Sequence, residues 1–511
     1  MKFVTAQGMR EGEGRAILRA PRLAQTMMER AGAGLAHAVR SMALYLDCPD
    51  GAVRLLAGPG NNGGDAFAAA CVLADHGLSP EVWLAGTADK LAGPARYFYE
   101  RTIAAAIPAR EMASAEAWEE AAADVAAPPI LVDALLGTGA RGAPTGMVRH
   151  AIEYLQSRGR GSLVVAADLP SGMAADTGTV ADIAVRADYT VTMGYPKAGM
   201  AAPAAQEWLG SLWSVPIGLP AEFADAILDA RPELHWISEE DVVRVLPRRR
   251  RDSHKGNYGC ALLLGGAAQY PGAIVLATEG ALRSGAGLVH VAASPTAVAA
   301  IAIRSPEAIL GSELSADVSV EGMNAVLAGP GLGRDPEARR LVARLLHETP
   351  CPLVLDADAI AVLAGKPEAV RQCPQPVVLT PHPGELGLLL GKSAAEIQAD
   401  RLASAREAAE RTGAIVVLKG AGTLVAKTGQ ATWLNLNGNP GMACGGAGDV
   451  LAGLLAGLLA QQLPPFDAAC AAVWLHGTAG DVAALRKTHA AMKAGDIANA
   501  LPVAFRQICP R

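Results

Sequence analysis

Residues 53–65 read VRLLAGPGNNGGD, an apolar run that passes directly into a glycine-rich turn. The apolar run Val53–Ala57 predicts a buried strand, and Ala66–His76 beyond the turn carries the pattern of a helix. A strand, a glycine-rich turn and a helix in this order are typical of parallel α/β units, which bind ligands at the carboxyl ends of their strands. We therefore expect an α/β fold whose chemistry lies in the turns that follow its strands.

Further strands of the same kind are predicted along the chain. In the first half they are Glu81–Ala85, Ile130–Asp133, Leu163–Ala167 and Tyr189–Met193. In the second half they are Cys260–Leu264, Leu288–Ala292, Ala325–Ala328, Leu353–Asp356, Val377–Thr380 and Ile415–Leu418, and the last long helix is predicted at Asp449–Gln462. Between the halves, Pro216–Arg251 is rich in proline and charge. We place the boundary near Pro232 and predict two domains, at residues 1–225 and 232–511.

The composition of the 511-residue chain limits its possible partners and location. A net charge of −6 and a pI near 6.0 argue against nucleic acid and anionic membranes as partners, and the basic run Arg248–Arg251 is interpreted as a solvated linker. The eight cysteines form no CxxC pair, which disfavours a zinc site or a disulfide framework. The N-terminus lacks the apolar core of a secretory signal, and the longest apolar run, Val450–Ala460, is shorter than the roughly 20 residues of a membrane span. We expect a cytoplasmic protein.

The glycine-rich turn of residues 58–65 has the composition of an anion site. Glycines let backbone N–H groups approach a ligand closely, and the start of the following helix adds a partial positive charge. A phosphate-bearing ligand is therefore expected here. The alternative is an ordinary tight surface turn, which the two asparagines and the aspartate next to the glycines make less attractive.

Two more polar turns follow predicted strands in the first half. They read DALLGTG at residues 133–139 and DLPSG at residues 168–172. Asn62, Asp133 and Ser171 offer only oxygen atoms, which suit a hard cation such as potassium or magnesium better than zinc. Taken singly, each of these residues is also a common helix cap, and capping remains the simpler interpretation of any one of them.

In the second half, GGAGD at residues 445–449 precedes the apolar helix. Three glycines at a helix start offer backbone amides to a developing phosphoryl charge, and Asp449 in the first turn is placed to accept a proton from an attacking hydroxyl. The alternative is an aspartate that only complements the helix dipole. The turn Lys419–Thr423 adds a cation, backbone amides and a hydroxyl for nucleotide phosphates, and His382 is held between two prolines at a strand end.

The motifs GPGNNGGD, DALLGTG and DLPSG, in this order, resemble the N-terminal domain of the NAD(P)H-hydrate epimerases over residues 1–225. The resemblance implies a Rossmann-like αβα sandwich that interconverts the R and S forms of hydrated NADH and NADPH, with potassium bound by Asn62, Asp133 and Ser171. We expect Asp168 to be the acid/base of this inversion, with Lys197 as a helper. The implied substrate-binding residues are Asn61, Asn62, Gly63, Gly64, Asp65, Gly137, Thr138, Gly139, Ala140, Arg141, Gly142, Ala143 and Asp168.

The motifs HKGNYG, GPGLG, LDADAI, LTPHPGE, LKGAGT and GGAGDVLAG resemble the ADP/ATP-dependent NAD(P)H-hydrate dehydratases over roughly residues 235–505. The resemblance implies a ribokinase-like αβα domain, magnesium with ADP or ATP as phosphate donor, phosphorylation of the C6 hydroxyl of the S form, and Asp449 as the base. The implied substrate contacts are Ala273, Gly331, His382 and Asp449, and the implied nucleotide contacts are Lys419, Gly420, Ala421, Gly422, Thr423 and Gly448. The whole chain resembles the fused enzymes that repair hydrated nicotinamide cofactors, which implies a homo-oligomer.

Two other functions are compatible with parts of this pattern. A ribokinase-like vitamin or sugar kinase with an attached Rossmann-like domain would share the GGAGD helix, but it would release a phosphorylated product. Alternatively, the first half is a binding module without catalysis, although its Asn62, Asp133, Asp168 and Ser171 argue against this.

Overall fold

The computed structural model describes residues 1–46, 48, 51–124, 127–158, 161–311 and 313–508. It divides into two compact units, Met1–Pro232 and Glu233–Arg511, and each is described here by itself. The last residues of the predicted second domain, 509–511, lie outside the described part of the chain.

The first unit is built on a seven-stranded parallel sheet with the strand order β3-β2-β1-β4-β5-β6-β7. Its strands are β1 (Ala52–Ala57), β2 (Ser79–Leu84), β3 (Ala109–Glu111), β4 (Ile130–Ala134), β5 (Leu163–Ala167), β6 (Tyr189–Met193) and β7 (Ser211–Val215). Its helices are α1 (Ala6–Arg19), α2 (Leu23–Tyr45), α3 (Asn61–Asp75), α4 (Gly93–Ala104), α5 (Ala115–Asp124), α6 (Gly146–Arg158), α7 (Gln206–Leu209) and α8 (Ala221–Asp225).

Helices cover both faces of this sheet. On one side α2, α3 and α4 pack together, and α3 lies against β1 and β2. On the other side Trp118 of α5 and Tyr154 of α6 pack on Trp83 and Leu56 of the sheet. Side chains alternate between the faces of a strand, so continuous apolar strands such as β1 supply both cores at once.

The strand order of the first sheet reverses next to β1, which has β2 on one side and β4 on the other. The chain after β1 and the chain after β4 therefore leave towards opposite faces of the sheet. A crevice forms between them, and this is the position where open α/β sheets bind their ligands.

The second unit contains a ten-stranded sheet with the order β11-β10-β9-β12-β13-β14-β15-β16-β17-β8. Its strands are β8 (Leu234–Trp236), β9 (Cys260–Leu264), β10 (Leu288–Ala292), β11 (Ile309–Leu310), β12 (Ala325–Ala328), β13 (Leu353–Leu355), β14 (Val377–Leu379), β15 (Ile415–Leu418), β16 (Thr423–Ala426) and β17 (Thr432–Asn435). Its helices are α9 (Glu239–Val245), α10 (Pro271–Leu282), α11 (Pro295–Arg304), α12 (Pro336–Glu348), α13 (Asp358–Ala361), α14 (Pro383–Leu390), α15 (Ala394–Ala399), α16 (Arg401–Thr412), α17 (Ala447–Ala460), α18 (Pro465–Lys487) and α19 (Ala494–Ile508).

Most of this sheet is parallel, and β16 is antiparallel to both β15 and β17. The apolar helix α17 packs against α10 in direct backbone contact, because a Cβ on Gly453 would lie 1.8 Å from the Ala277 carbonyl oxygen and a Cβ on Gly280 would lie 2.3 Å from the Val450 carbonyl oxygen. These contacts fix the position of α17 and hence of its first turn. The strand order reverses next to β9, so a second crevice forms between the turns after β9 and β12.

The helix predicted at Asp449–Gln462 is not the last long one, because α18 and α19 follow it. Helix α18 is buried almost all round and therefore lacks the contrast between an apolar and a polar face by which helices are predicted. Among the described residues, α18 is also the one helix long and apolar enough to cross a membrane, with 94% of its apolar window buried inside the protein. Such burial is typical of a core helix.

Candidate active sites

A cavity of about 530 Å³ lies at the switch point of the first sheet. Its walls come from the turns after β1, β4 and β5 and from helices α1 and α2, and Pro94, Met193, Lys197 and Ile217 complete the lining. The predicted residues that line it are Asn61, Asn62, Asp65, Gly137, Thr138, Gly139, Ala140 and Asp168. This volume suits a small-molecule ligand, so the motifs of the first half meet in one ligand-sized site.

Two of the predicted glycines support this wall from behind. A Cβ on Gly63 would lie 1.9 Å from the Gly58 carbonyl oxygen, and a Cβ on Gly64 would lie 2.5 Å from Met28 Cε. The obstacle at Gly63 is backbone, so only glycine fits there, whereas at Gly64 a Cβ would require the flexible end of the Met28 side chain to move. Gly63 and Gly64 therefore shape the turn, while its asparagines face the cavity.

Asn62, Asp133 and Ser171 meet in one buried cluster. The Ser171 hydroxyl donates to Asp133 Oδ1 at 2.6 Å, and the Ser171 backbone N–H donates to Asp133 Oδ2 at 2.8 Å. Asn62 Nδ2 donates to the carbonyls of Leu136 and Ala167, at 2.9 and 3.2 Å. The three predicted cation ligands thus surround the turn after β4, and capping a helix is not their main contact.

The chemistry of this cluster fits a potassium ion. Asn62 Oδ1 is buried and, in the described part of the chain, has no hydrogen-bond partner, which leaves one oxygen for a ligand. Burial raises the pKa of the Asp133 carboxyl to about 6, although hydrogen bonds from Ser171 and Leu135 oppose the shift. A cation would offset this unfavourable burial, and hard cations prefer the oxygen ligands that the cluster offers.

Asp168 directly follows β5 and has a φ of +67°, a left-handed conformation that residues with a Cβ rarely adopt. Its Oδ1 accepts hydrogen bonds from Lys197 Nζ and from the Met193 N–H. Lys197 is 1% exposed and also donates to Thr192 Oγ1 at 2.9 Å. The other oxygen, Oδ2, faces Gly137, where a Cβ would lie 3.5 Å away. One oxygen is therefore anchored and the other is directed at the cavity.

Two further carboxyl groups belong to the same cavity. Burial, followed by the charge of Asp168, raises the pKa of Glu13 to about 7. Burial, Asp168 and Glu13 together raise the pKa of Asp65 well above its ordinary value. Lys197 lowers the pKa of both groups but does not cancel these effects. Three acids therefore share one buried ammonium group, an arrangement typical of sites that transfer protons.

The loop after β4 separates the first cavity from a second one of about 320 Å³. Arg10 contributes to both cavities and donates from Nη1 to the Thr138 carbonyl at 2.5 Å. Arg141 and Gly142 line the second cavity, whereas Ala143 is exposed and lines neither of the two. The substrate role predicted for Ala143 thus finds no support in its position.

Helix α1 contributes to the first site in a way that the sequence motifs do not predict. Met9, Arg10 and Glu13 of this helix line the cavity, and no motif marks them. The available signal was the helical spacing of Met9 and Ala16, both buried, on either side of Glu13. A carboxylate on the buried face of an N-terminal helix is a candidate for function.

In the second unit, Asp449 lies in the first turn of α17, which begins after Gly446. Gly446 has a φ of +94°, and a Cβ there would lie 2.2 Å from Leu276 Cδ1, so glycine is required. Burial, followed by the charge of Asp356, raises the pKa of Asp449 to about 7, although Lys419 opposes the shift. A base whose pKa lies near 7 is matched to proton transfer at neutral pH.

Lys419 directly follows β15 and connects several charged groups of the second site. Its Nζ lies 2.7 Å from Asp356 Oδ1 and 3.7 Å from Glu385 Oε2. A Cβ on Gly448 would lie 3.2 Å from the same Nζ, so the ammonium also reaches the start of α17. Burial lowers the pKa of Lys419, but Asp356, Glu385 and Asp449 raise it by more. Lys419 therefore stays charged beside the proposed base.

The acidic groups of this site fit a magnesium ion that arrives with a nucleotide. Asp356 and Glu385 provide carboxylate oxygens beside Lys419. Within the described ranges, no three His, Cys, Asp or Glu side chains are arranged to hold a metal ion. Magnesium is usually bound by one or two carboxylates together with substrate phosphates and water, which is consistent with this arrangement.

The turn Lys419–Thr423 connects β15 to the antiparallel strand β16. Arg401 Nη2 donates to the carbonyls of Leu418 and Gly422, both at 3.2 Å, and the Thr423 hydroxyl donates to the Gly420 carbonyl at 2.9 Å. The carbonyls of the turn are thus bound from behind. The Lys419 N–H donates to the Pro381 carbonyl at 2.9 Å, so the N–H groups of residues 420–422 are the ones that remain to contact a phosphate.

Ala273 and Gly331 lie together at the switch point of the second sheet. Gly331 has a φ of +58°, and a Cβ there would lie 3.2 Å from Ala273 Cβ and 2.5 Å from the Tyr270 carbonyl oxygen. The Ala267 N–H donates to the Gly331 carbonyl at 2.7 Å, which ties the turn after β9 to the turn after β12. The two predicted substrate contacts therefore share one wall.

His382 caps the start of α14. Its Nδ1 accepts hydrogen bonds from the N–H groups of Gly384 and Glu385, at 3.0 and 3.3 Å, and its side chain is 56% exposed. The Glu385 carboxylate in turn accepts the His382 backbone N–H at 2.8 Å. This reciprocal capping fixes the position of the imidazole ring.

Each of the two units matches a known protein family. The family described as NAD(P)H-hydrate dehydratase matches residues 261–503, which include Ala273, Lys419 and Asp449. The family described as YjeF-related protein N-terminus matches residues 24–199, which include Asn62 and Asp168. Each match lies within one structural unit.

Relatives extend the similarity over nearly the whole chain. The chain is 37% identical over 497 residues to the bifunctional NAD(P)H-hydrate repair enzyme Nnr of Thermofilum pendens, covering 95% of this chain and 92% of that protein. It is 36% identical over 477 residues to the enzyme of the same name from Moorella thermoacetica (89% and 88% covered). For the Escherichia coli enzyme the identity is 36% over 453 residues (88% and 84% covered).

A solved structure resembles the second unit. The ADP/ATP-dependent NAD(P)H-hydrate dehydratase from Bacillus subtilis, co-crystallized with ATP/Mg2+, is 35% identical and has a TM-score of 0.51. The similarity covers 98% of that protein and 54% of this chain, in agreement with a ribokinase-like fold for one of the two units.

Proposed function

Because the chain belongs to the family of bifunctional NAD(P)H-hydrate repair enzymes, we propose that its two activities are divided between the two units described above. The enzyme interconverts the R and S forms of hydrated NADH and NADPH, and it dehydrates the S form back to NAD(P)H while consuming ADP or ATP. The epimerase corresponds to residues 1–225 and the dehydratase to residues 232–511. One observation supports this division: each unit has its own crevice and its own ion pair, which is Asp168 with Lys197 in the first unit and Asp356 with Lys419 in the second.

In the first unit, Asp168 acts as acid/base at C6 of the hydrated nicotinamide ring. Its Oδ2 is directed at the cavity, while Lys197 holds Oδ1. Since C6 carries both the ring nitrogen and the hydroxyl, its inversion requires a proton to be removed and returned. The turns that hold Asn61, Thr138 and Arg141 bind the rest of the substrate.

The first unit also uses potassium, which Asn62, Asp133 and Ser171 hold. When bound, the ion supplies a positive charge that fixes the turn after β4. Asn62 Oδ1, which has no hydrogen-bond partner among the described residues, and the buried Asp133 carboxylate support this assignment. Their role is to hold the substrate loop in place, and the proton-transfer groups lie elsewhere in the cavity.

In the second unit, the C6 hydroxyl attacks the terminal phosphate of the nucleotide. Asp449 takes the hydroxyl proton, an oxygen–phosphorus bond forms, and the bond to the leaving nucleotide breaks. The C6–O bond then breaks and phosphate leaves with the electron pair, while the ring nitrogen forms a double bond to C6 and loss of the C5 proton restores NAD(P)H. Asp449 lies in the first turn of α17, where the helix dipole also favours the phosphoryl charge.

The nucleotide occupies the turn Lys419–Thr423 and the start of α17 at Gly448. Magnesium, when bound, neutralises phosphate charge, and Asp356 and Glu385 are the carboxylates placed to hold it. Ala273, Gly331 and His382 contact the nicotinamide substrate.

The enzyme works in the cytoplasm, as a homo-oligomer, without nucleic acid or membrane as partner. All seven cysteines in the described part of the chain are free, which supports a reducing compartment. Light scattering of the purified protein would test the homo-oligomer.

The test of this division is absorbance at 340 nm with hydrated NADH as a mixture of both epimers, in the presence of magnesium, potassium and either ADP or ATP. A nucleotide-dependent rise that consumes both epimers is expected. A rise that stops with the R epimer left over, faster than spontaneous interconversion replaces it, would remove the epimerase assignment. No rise from folded protein with either nucleotide would favour the small-molecule kinase.

A further inference from the structure

Glu13 is a titratable group of the first cavity that the chemistry described so far leaves unused. It belongs to α1, lies outside the family match at residues 24–199, and lines the cavity with Asp65, Asp168 and Lys197. Met9 and Ala16, about one helical turn away on either side, are buried. The helix therefore turns Glu13 towards the cavity.

We propose that Glu13 is the second proton-transfer residue of the epimerase, acting together with Asp168 on the same substrate. The proposal rests on the assignment of the epimerase to the first unit. Inversion at C6 needs one group that removes a proton and another that supplies one, and a single carboxylate is in only one of these states at a time.

The two carboxyl groups have different partners. Asp168 accepts a hydrogen bond from the buried Lys197, whereas the Glu13 carboxyl has no hydrogen bond or salt bridge to any described residue. The charged groups that face Glu13 are Asp168 and Asp65 from the sheet and α3, Lys197 from the chain after β6, and Arg10 from its own helix. Arg10 is engaged at the Thr138 carbonyl.

These surroundings favour a proton on Glu13. Burial and the charge of Asp168 raise the pKa of Glu13 to about 7, so near neutral pH a large share of the molecules carry a proton there. Asp168 has the Lys197 ammonium as its counter-ion. Two acids whose environments differ in this way are a common basis for separate acid and base roles.

Asp168 and Glu13 together can supply and accept all the protons that opening and closing of the ring require. Asp168 removes the proton of the C6 hydroxyl, a C6–O double bond forms, and the C6–N1 bond breaks with its electron pair moving to N1. Glu13 gives its proton to N1. Rotation about the C5–C6 bond presents the other face of the aldehyde; N1 then attacks C6, its proton returns to Glu13, and the oxygen regains a proton from Asp168.

The test uses the full-length protein with the R epimer of hydrated NADH and potassium, without nucleotide, and follows formation of the S epimer by chromatography. Glu13→Gln keeps the size of the side chain but replaces the carboxyl group by an amide, which cannot transfer a proton at this pH. Glu13→Asp keeps a carboxyl group on a shorter side chain. Glu11→Gln is the matched control, because Glu11 lies on the same helix with its side chain 52% exposed.

Glu13→Gln should lower kcat for epimerisation by about 10²–10⁴-fold, with a small effect on KM. It should also abolish the fall in kcat that wild-type enzyme shows as pH rises above about 7, where Glu13 loses its proton. Glu13→Asp should recover part of the rate and keep that fall, and Glu11→Gln should behave as wild type.

A Glu13→Gln enzyme with wild-type kcat would overturn the proposal, and so would a slow enzyme that keeps the wild-type pH profile, because that result indicates a structural role. If Glu13→Gln does not fold, the pH profile of Glu13→Asp decides: its alkaline fall must remain and must move relative to wild type. If instead Asp168→Asn epimerises normally, the epimerase assignment itself fails, independently of Glu13.

Discussion

Lys419 Nζ lies 2.7 Å from Asp356 Oδ1, so one buried ion pair joins the carboxyl ends of β13 and β15 in the dehydratase unit. The Thr380 hydroxyl, which follows β14, donates to the same Asp356 oxygen at 2.7 Å. Three neighbouring strand ends are thereby connected through one carboxylate. This places a fixed positive charge beside Asp449, the proposed base, and beside the turn proposed to bind the nucleotide.

Replacing Lys419 should therefore change the pH dependence of dehydration as well as nucleotide binding. Lys419 lowers the pKa of Asp449, which lies at about 7 with the lysine present. In Lys419→Met, the pH of half-maximal dehydration should move upward and KM for the nucleotide should rise. The measurement is the pH profile at 340 nm, with the exposed Lys427→Met as control. An unchanged pH midpoint would show that the ammonium does not act on the base.

Asp449→Asn should stop dehydration but leave epimerisation intact. Loss of a general base lowers kcat by about 10²–10⁴-fold. In the wild-type enzyme the base must be ionised, so dehydration should fall about tenfold per pH unit below about 7, the pKa of Asp449. The rise at 340 nm measures dehydration, and chromatography of the epimers measures the other activity. Loss of both activities from a folded protein would contradict the division into two sites.

Asp168→Asn should have the reverse effect. Without an acid/base at C6, conversion of R to S should fall by about 10²–10⁴-fold, whereas pure S epimer should be dehydrated at the wild-type rate. With a mixture of epimers, the rise at 340 nm should stop when the S form is used up and then follow only the slow spontaneous conversion. Complete consumption of both epimers at the wild-type rate would rule out this role for Asp168.

Gly63→Ala should destabilise the epimerase unit. The new Cβ would lie 1.9 Å from the Gly58 carbonyl oxygen, so the backbone must move. Overpacking of this kind costs about 1–3 kcal/mol in the free energy of unfolding, sometimes more. Gly14→Ala is the matched control, because no atom lies within 4 Å of its Cβ position in α1 and alanine favours the helix by about 1 kcal/mol. Denaturant unfolding should show a lower free energy of unfolding than wild type for Gly63→Ala and a higher one for Gly14→Ala.

Potassium should activate epimerisation through Asn62. At constant ionic strength, replacing potassium chloride by choline chloride should lower the epimerisation rate and the melting temperature of the wild-type protein. Asn62→Ala removes the buried oxygen that has no partner among the described residues, so both effects of potassium should disappear. Asn61→Ala changes the exposed neighbour, which lines the cavity; its basal epimerisation rate is expected to fall, but its rate and melting temperature should still respond to potassium. A potassium response that survives in Asn62→Ala would place the ion elsewhere.

The central strands were predictable because they are buried on both faces. Six of them, among them Leu163–Ala167 and Cys260–Leu264, begin and end as the apolar runs indicate. The edge strand Ala109–Glu111 and the strand Leu234–Trp236 were missed because they are short and contain polar side chains. A hydrophobicity pattern therefore identifies a strand when its residues are all buried, and it fails when a short strand mixes buried and exposed residues.

The sites were predictable where they depend on turns after strands. Asn62, Asp133 and Ser171 come together because neighbouring parallel strands end at one edge of the sheet. Glu13 was not predictable in this way, because tertiary packing of α1 brings it to the cavity from outside the alternating pattern. The same holds for Arg401, which reaches the nucleotide turn from α16.

The capping of α14 has a consequence for what the dehydratase accepts as substrate. His382 Nδ1 is already occupied by two backbone N–H groups, so the neutral ring carries its proton on Nε2. Nε2 lies 3.4 Å from Glu385 Oε1, so the proton that the neutral ring can offer to a ligand is shared with this carboxylate, and the ring has no acceptor left. If His382 contacts the substrate as we propose, a carbonyl oxygen, such as that of the nicotinamide carboxamide, can accept a hydrogen bond from Nε2, whereas an amide N–H pointing the same way finds no acceptor on the ring, so one ring nitrogen would set the orientation of the nicotinamide group.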